Sequence, residues 1–261
     1  LFGKRVVCTI HGIDWAREKW NNGLASKFIH MGEKCAVRFA DEIIVLNRGE
    51  QKYFQKQYGR KTWLIPNGVN RPVRREADLI SQKWGLEKDS YILFLGRIVP
   101  EKGIRYLIES FQKIHTDKKL VIAGGASDTG KYMEELKEFA GNDKRIIFTG
   151  FVQGKLLGEL YSNAYLYTLP SSLEGMPLSL MEAMSYGNCC LTSDIPGCTG
   201  VIEDCGVTFR KGSVKDLREK LQDLCDHPEV VKSYKEKSAD FICGKYNWDR
   251  IVQETIQLYE G

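Results

Sequence analysis

The sequence has no apolar run near the ~20 residues needed to span a bilayer and no signal-peptide pattern at its start. It also has no initiating methionine. Its opening stretch, "LFGKRVVCTIHG", reads as a strand already under way, so an N-terminally incomplete chain is expected. Eight cysteines are present, but none forms a C-x-x-C pair, which argues against a zinc site. Most lie in apolar or strand-like contexts and read as reduced thiols that pack as small hydrophobes. Charge of one sign is scarce in excess: the net value is +4, and no RNA- or DNA-binding motif stands out, so nucleic acid is not an expected partner. No internal repeat or low-complexity tract is visible. The glycine-rich "AGGASDTG" (123–130) lacks G-x-G-x-x-G spacing and reads as a tight turn that borders a ligand cleft.

What is present is a chain of 261 residues with 43% hydrophobic content, enough for one large or two modest domains with cores. From Tyr91 onward, short apolar runs alternate with helical spacing. "YILFLG" (91–96) is followed by Ile104, Leu107, Ile108, Phe111 and Ile114 at helical intervals. "KLVIAGG", "RIIFTG", "AYLYTLP" and "NCCLTS" are further strands. Continuous apolar strands alternating with helices predict a parallel sheet covered on both faces. Ligands of such folds bind beyond the carboxyl ends of the strands, so the residues just after each strand are the ones to read for chemistry.

Residues 1–72 form a separate pattern, with strands in "KRVVCTIHG" and "DEIIVLN" and a helical stretch rich in Trp, Lys and Arg between them. "IPNGVNRP" (65–72) marks a turn or linker. A boundary is expected there, dividing residues 1–72 from 73–246 and a final helix (247–261). That helix has an apolar stripe of Trp248, Ile251, Val252, Ile256 and Leu258 to bury.

Two elements point to chemistry. In "LGRIVPEKGIRYLI", Arg97 follows a strand and Lys102 opens a helix, with Pro100 suited to its first turn. A Lys at the positive end of a helix dipole is mildly unfavourable, and a bound anion offsets that cost. Arg97 and Lys102 then clamp a phosphate or pyrophosphate; the alternative is two solvated bases in a loop. In "SSLEGMPLSLMEAMSYG", Glu174 lies in a turn after a strand and Glu182 lies among Leu180, Met181 and Met184. Pro177 fits the first turn of a helix, and the amides of Gly175, Met176 and Leu178 are free N-terminal donors. Glu174 is placed to accept from sugar hydroxyls, and Glu182 to reach a ribose diol. The alternatives are a solvated loop acid and a helix acid paired with a buried Arg.

The combination resembles the retaining glycosyltransferases of family 4, which have the GT-B fold: two Rossmann-like α/β domains with parallel sheets facing a cleft. The motifs that carry the resemblance span the chain: "IPNGV", "GRIVPEKG", "LVIAGG", "IIFTGFV", "SSLEGMPLSLMEAMSYG" and "FICGKYNWDRI". "TIHGIDWAREKW" is similar, more weakly, to bacterial rhamnosyltransferases of polysaccharide synthesis.

The resemblance implies a donor that is a nucleotide-diphospho-sugar, UDP- or dTDP-linked, with no cofactor and no metal. It implies that Arg97 and Lys102 bind the pyrophosphate, Glu174 the sugar hydroxyls and Glu182 the ribose. The Gly175, Met176 and Leu178 amides would face the sugar and β-phosphate, and the base would lie near Phe151 and Val152. His11 matches a histidine facing the donor sugar, although a lone histidine is more often structural. Negative charge builds on the leaving diphosphate as the sugar–phosphate bond breaks, and Arg97 and Lys102 are suited to take it up. The acceptor would be a saccharide or lipid-linked sugar, and most of its site would precede Leu1. Cytoplasmic location is expected, with peripheral membrane contact through Lys4, Arg5, Arg17, Lys19, Lys27 and Lys34; a solvated basic helix is the alternative. Two other functions share such a fold: a nucleotide-sugar 2-epimerase, which needs further cleft carboxylates, and a non-catalytic nucleotide-sugar-binding subunit.

Overall fold

The structure is a computed structural model that describes residues 3–12, 24–125 and 130–260. Most of "TIHGIDWAREKW", with Arg17 and Lys19, and the centre of "AGGASDTG" lie outside the described residues. The first part runs β1 (Val7–Ile10), α1 (Leu24–Phe39), β2 (Glu42–Val45), α2 (Arg48–Tyr58) and β3 (Trp63–Leu64). These strands form a parallel sheet in the order β1-β2-β3. The period of two in β2 divides its side chains between two cores. Ile43 and Val45 pack with Ala40 and Phe54, whereas Ile44 and Leu46 join the core of the second part.

That second part begins with α3 (Leu79–Trp84) and β4 (Tyr91–Leu95). A 3-10 turn at Pro100–Lys102 precedes α4 (Ile104–Phe111). Then follow β5 (Lys119–Ala123), α5 (Lys131–Ala140), β6 (Ile146–Gly150), α6 (Gly154–Asn163), β7 (Leu166–Leu169) and α7 (Leu178–Ser185). The chain continues through β8 (Cys190–Ser193), α8 (Pro196–Ile202), β9 (Val207–Phe209), α9 (Val214–Asp226), α10 (Pro228–Lys245) and α11 (Trp248–Glu260). The six strands are parallel in the order β6-β5-β4-β7-β8-β9.

Burial follows the sequence pattern. Ile92, Leu93 and Phe94 of β4 are fully buried, as are Ile104, Leu107, Ile108 and Phe111 of α4. Each contributes about 1.5–3 kcal/mol relative to exposure. The strand tyrosines bury their rings and still satisfy their hydroxyls: Tyr91 donates to Leu160 O at 2.7 Å and Tyr167 to Leu95 O at 3.1 Å. The two short strands β3 and β9 went unread in the sequence because neither is long enough to show a period.

One expectation needs correction. Lys102 does not open a helix; it ends the 3-10 turn, and Gly103 separates it from α4 with φ +68°. A Cβ on Gly103 would come within 2.1 Å of Pro170 O, so only glycine permits this approach of the two loops. The stripe of α11 is partly covered: Ile251 and Leu258 are buried, and Trp248, Val252 and Ile256 are exposed.

The order of the second sheet places the reversal of strand sequence between β4 and β7, which are neighbours. Connections leave β4 and β7 towards opposite sides of the sheet, and a crevice opens at their carboxyl ends.

Candidate functional site

The segment after β4 brings Arg97, Glu101 and Lys102 to this crevice, and the segment after β7 brings Ser171 to Pro177. The two loops are fastened together. Ser172 N donates to Glu101 O at 2.8 Å. Lys102 Nζ donates to Glu174 Oε1 at 2.5 Å, and Ser171 Oγ donates to the same oxygen at 2.6 Å. The Lys102 and Glu174 side chains are 12% and 11% exposed, so their charges meet in a partly desolvated setting. Gly197, in the first turn of α8, holds the other side of Glu174. A Cβ there would lie 2.1 Å from Glu174 O.

The carboxyl ends of β1, β2 and β3 face the same crevice. His11 follows β1 and lines a cavity of about 390 Å³ with Arg97, Lys102, Glu174, Gly175 and Met176. Asn47 and Glu50 after β2 line it too. Asn47 caps α2, its Oδ1 accepting from Glu50 N at 2.9 Å, and its Nδ2 donates to Gly175 O at 3.2 Å. Asn67, after β3, donates from Nδ2 to Met176 O at 3.1 Å. The carbonyls of Gly175 and Met176 are thus each held by an asparagine from the other sheet. Glu50 is buried, with Oε2 accepting from Leu46 N at 3.1 Å. Burial pushes its carboxyl above the ordinary glutamate value, and the bonds from Leu46 and Asn47 oppose this.

Asn47, Glu50 and Asn67 were missed as site residues by the sequence reading. An N-cap signal was legible in "NRGE", and "IPNGV" was noted as a motif, but neither showed what it would touch.

Glu182 stands in the second turn of α7 and lines a different cavity, of about 410 Å³, with Tyr161, Tyr186, Gly154 and Trp248. Its partner is not an arginine. The Tyr161 hydroxyl donates to Glu182 Oε2 at 3.0 Å, and the Tyr161 and Tyr186 rings stack with centroids 5.2 Å apart. Burial raises the Glu182 carboxyl above its ordinary value, and the Tyr161 bond opposes this. A third cavity, of about 420 Å³, shares Arg97, Lys102 and Glu174 with the first and Leu178 with the second. The first and third thus adjoin at Arg97, Lys102 and Glu174, and Leu178 at the start of α7 stands between the third and the second.

Phe151 and Val152 border none of these three cavities. Phe151 is 73% exposed beyond β6, and Val152 is buried. Among the described residues no group of three or more His, Cys, Asp or Glu side chains is placed to hold a metal ion.

These cavities have the chemistry for an anionic ligand that also carries hydroxyls. Arg97, Lys102 and the start of a helix suit phosphates. The carboxylates of Glu174 beside them and of Glu182 in the neighbouring cavity suit hydroxyls.

Known proteins resemble this chain in sequence and in fold. Residues 1–71 match "Glycosyltransferase Family 4". An uncharacterised glycosyltransferase of Methanocaldococcus jannaschii is 28% identical over 254 residues, 90% of this chain and 64% of that protein. The alpha-D-kanosaminyltransferase of Streptomyces kanamyceticus is 28% identical over 190 residues, 71% of this chain and 49% of that one. The chain therefore spans less than two thirds of the length of these two relatives. Among solved structures, Anabaena HepE in complex with UDP and glucose superposes with a TM-score of 0.86 at 18% identity, covering 98% of this chain and 71% of that one. Sucrose-phosphate synthase of Thermosynechococcus elongatus superposes with a TM-score of 0.84 at 23% identity, covering 97% and 67%. The fold is thus of the GT-B type. Residues 76–258 match "Glycosyl transferases group 1", and the chain belongs to that family.

Proposed function

We propose that the protein moves a sugar from a nucleotide-diphospho-sugar to a saccharide or lipid-linked acceptor with retention of configuration. The observation that carries the reading is the gathering of Arg97, Lys102 and Glu174 on two adjoining cavities, with Glu182 on a third that meets them at Leu178. The diphosphate lies at Arg97, Lys102 and the first turn of α7. The sugar extends towards Glu174 and His11, and the ribose towards Glu182. The base lies beyond the ribose, towards Phe151 and Val152. The HepE structure holds UDP and glucose, which supports a uridine donor over a thymidine one.

Lys102 already has a partner in Glu174. On this reading the donor phosphates draw the ammonium away and leave Glu174 to accept from the sugar. As the anomeric bond to the phosphate oxygen breaks, the electron pair goes to the diphosphate, where Arg97, Lys102 and the α7 amides stabilise it. The acceptor hydroxyl attacks the same face and gives its proton to that phosphate oxygen. No metal and no protein nucleophile is used.

The role in cell-surface polysaccharide synthesis, a rhamnosyl donor, and cytoplasmic work in peripheral contact with the membrane belong to the same proposal. So do the domain limits at 72 and 246. The deciding assay incubates the protein with labelled nucleotide sugars and a lipid extract. A new glycolipid supports transfer. A new nucleotide sugar shows an epimerase, and no product with intact binding shows a binding subunit.

A further inference from the structure

We infer that Lys211 forms a subsite for an anionic group of the acceptor, a phosphate, at the end of the Glu174 cavity away from Arg97 and Lys102. The inference rests on the transfer reading proposed above, and it names the acceptor as a phosphorylated saccharide.

Lys211 follows β9, which stands at the opposite edge of the sheet from β6. Two strand spacings of about 4.8 Å separate β9 from β7, the strand that leads to Glu174. Contacts run unbroken between the two loops. Lys102 meets Glu174, and Gly197 packs against Glu174 O. Gly197 is joined through Pro196 and Ile195 to Asp194, whose Oδ1 accepts from Lys211 N at 2.8 Å. Lys211 lines the cavity of about 390 Å³ together with Arg97, Glu174 and Ile195.

The loop that presents Lys211 is fastened on both sides. Asp194 N donates to Phe209 O at 2.9 Å, and Ser213 N donates to Arg210 O at 3.0 Å. Arg210 N donates to Asp216 Oδ2 at 2.5 Å. Gly212 closes the turn with φ +72°. These bonds fix the backbone of Lys211 and leave its ammonium free. Among the described residues that ammonium makes no hydrogen bond and no ion pair. It offers three donors on a flexible four-carbon stem.

Lys211 is thus the cation of this cavity that the donor contacts do not use. Arg97 and Lys102 serve the diphosphate, and Lys211 stands beyond Glu174 from both. Its setting differs too. The Lys102 and Glu174 side chains are 12% and 11% exposed, whereas Lys211 is exposed at the rim. A charged ligand group at the rim stays partly hydrated, which costs less than burying it beside Glu174. An acceptor that enters from solvent meets that condition. A lipid-linked saccharide carries phosphate next to its sugar, and phosphate oxygens suit the three ammonium donors.

Two measurements test this. The first is the transfer assay with labelled nucleotide sugar and lipid extract. Lys211→Ala should raise the amount of extract needed for half-maximal transfer by roughly fivefold or more. KM for the nucleotide sugar should not move, and Lys211→Arg should restore the wild-type value. Lys232→Ala makes the same change in net charge on α10 and should change nothing. A rise in KM for the nucleotide sugar instead would give Lys211 to the donor and overturn the inference. So would equal extract dependence in wild type and Lys211→Ala.

The second measurement needs no natural acceptor. The chain saturated with UDP is titrated by calorimetry with glucose 1-phosphate, inorganic phosphate and glucose. Both phosphates should bind, more weakly to Lys211→Ala than to wild type or Lys211→Arg, and any binding of glucose should be the same in all three. Phosphate binding that Lys211→Ala leaves unchanged, or no phosphate binding at all, would overturn the inference. UDP affinity is measured on every variant. A chain that does not bind UDP counts against the donor reading. The phosphate titration is then repeated without UDP, and its dependence on Lys211 is read by itself.

Discussion

Lys102 and Glu174 stand 72 positions apart in sequence and meet at 2.5 Å, one from the turn after β4 and the other from the loop after β7. Their junction bridges the point where the strand order of the sheet reverses. It joins the group expected to hold phosphate to the group expected to hold sugar. On the proposed reading, a bound donor gives both of them new partners.

The pair predicts a coupling. Lys102→Met and Glu174→Gln should each destabilise the fold, because each leaves one partner charged and largely desolvated. The double variant should cost less than the sum, with a coupling of roughly 0.5–3 kcal/mol. Urea melts of the four proteins check this; strictly additive losses would mean the contact is unimportant.

The glycine behind Glu174 predicts a steric effect. Gly197→Ala puts a Cβ where Glu174 O now lies, 2.1 Å away. Transfer activity should fall sharply, and stability should fall by about 1–3 kcal/mol as the backbone shifts. Gly200, whose Cβ would meet nothing within 4 Å, is the matched control and should tolerate alanine without loss of activity.

Asn67 predicts a loss of function with little loss of fold. Its amide holds Met176 O at 3.1 Å, at the start of the turn that leads into α7. Asn67→Ala should raise KM for the donor while the melting temperature moves by only a few degrees, since one neutral bond is worth about 1 kcal/mol. Asn47→Ala should do the same with a larger stability loss, because it also removes the α2 cap.

The raised glutamates predict a pH dependence. Burial holds the Glu50 and Glu182 carboxyls above 4.5 in the fold, so the folded chain binds their protons more tightly than the unfolded chain. Their contribution to stability is then greatest below 4.5 and declines as pH rises through the raised values. Glu50→Gln should flatten that decline and leave the protein more stable at neutral pH. Denaturant melts at a series of pH values measure it. An unchanged slope would show that Glu50 ionises in the fold as readily as in the unfolded chain.

Much of the second sheet was legible because its strands are continuous apolar runs and α4 repeats at helical intervals. Arg97, Lys102 and Glu174 were legible as charged groups just after strands, and Glu182 as an acid among the apolar residues of a helix. Their partners were not. The position of Lys102 depends on Gly103 lying against Pro170 O, 67 residues further on, and no local period encodes that approach. Asn47 and Asn67 look like a cap and a turn residue, and their contacts lie 128 and 109 positions away. Glu182 was weighed with an arginine partner because burial of a carboxylate calls for charge. A tyrosine hydroxyl and a raised carboxyl meet the same need.

The most direct test titrates nucleoside, nucleoside diphosphate and nucleotide sugar against wild type, Lys102→Ala, Glu174→Ala and Glu182→Ala by calorimetry. Glu182→Ala should weaken all three ligands. Lys102→Ala should weaken the two that carry phosphates by roughly 1.5–3 kcal/mol and spare the nucleoside. Glu174→Ala should weaken only the nucleotide sugar, and should leave the diphosphate bound as tightly or more so, because Lys102 no longer has to be drawn from its partner. Three variants that lose the same affinity for all three ligands would contradict the assignment of phosphate, sugar and ribose to Lys102, Glu174 and Glu182.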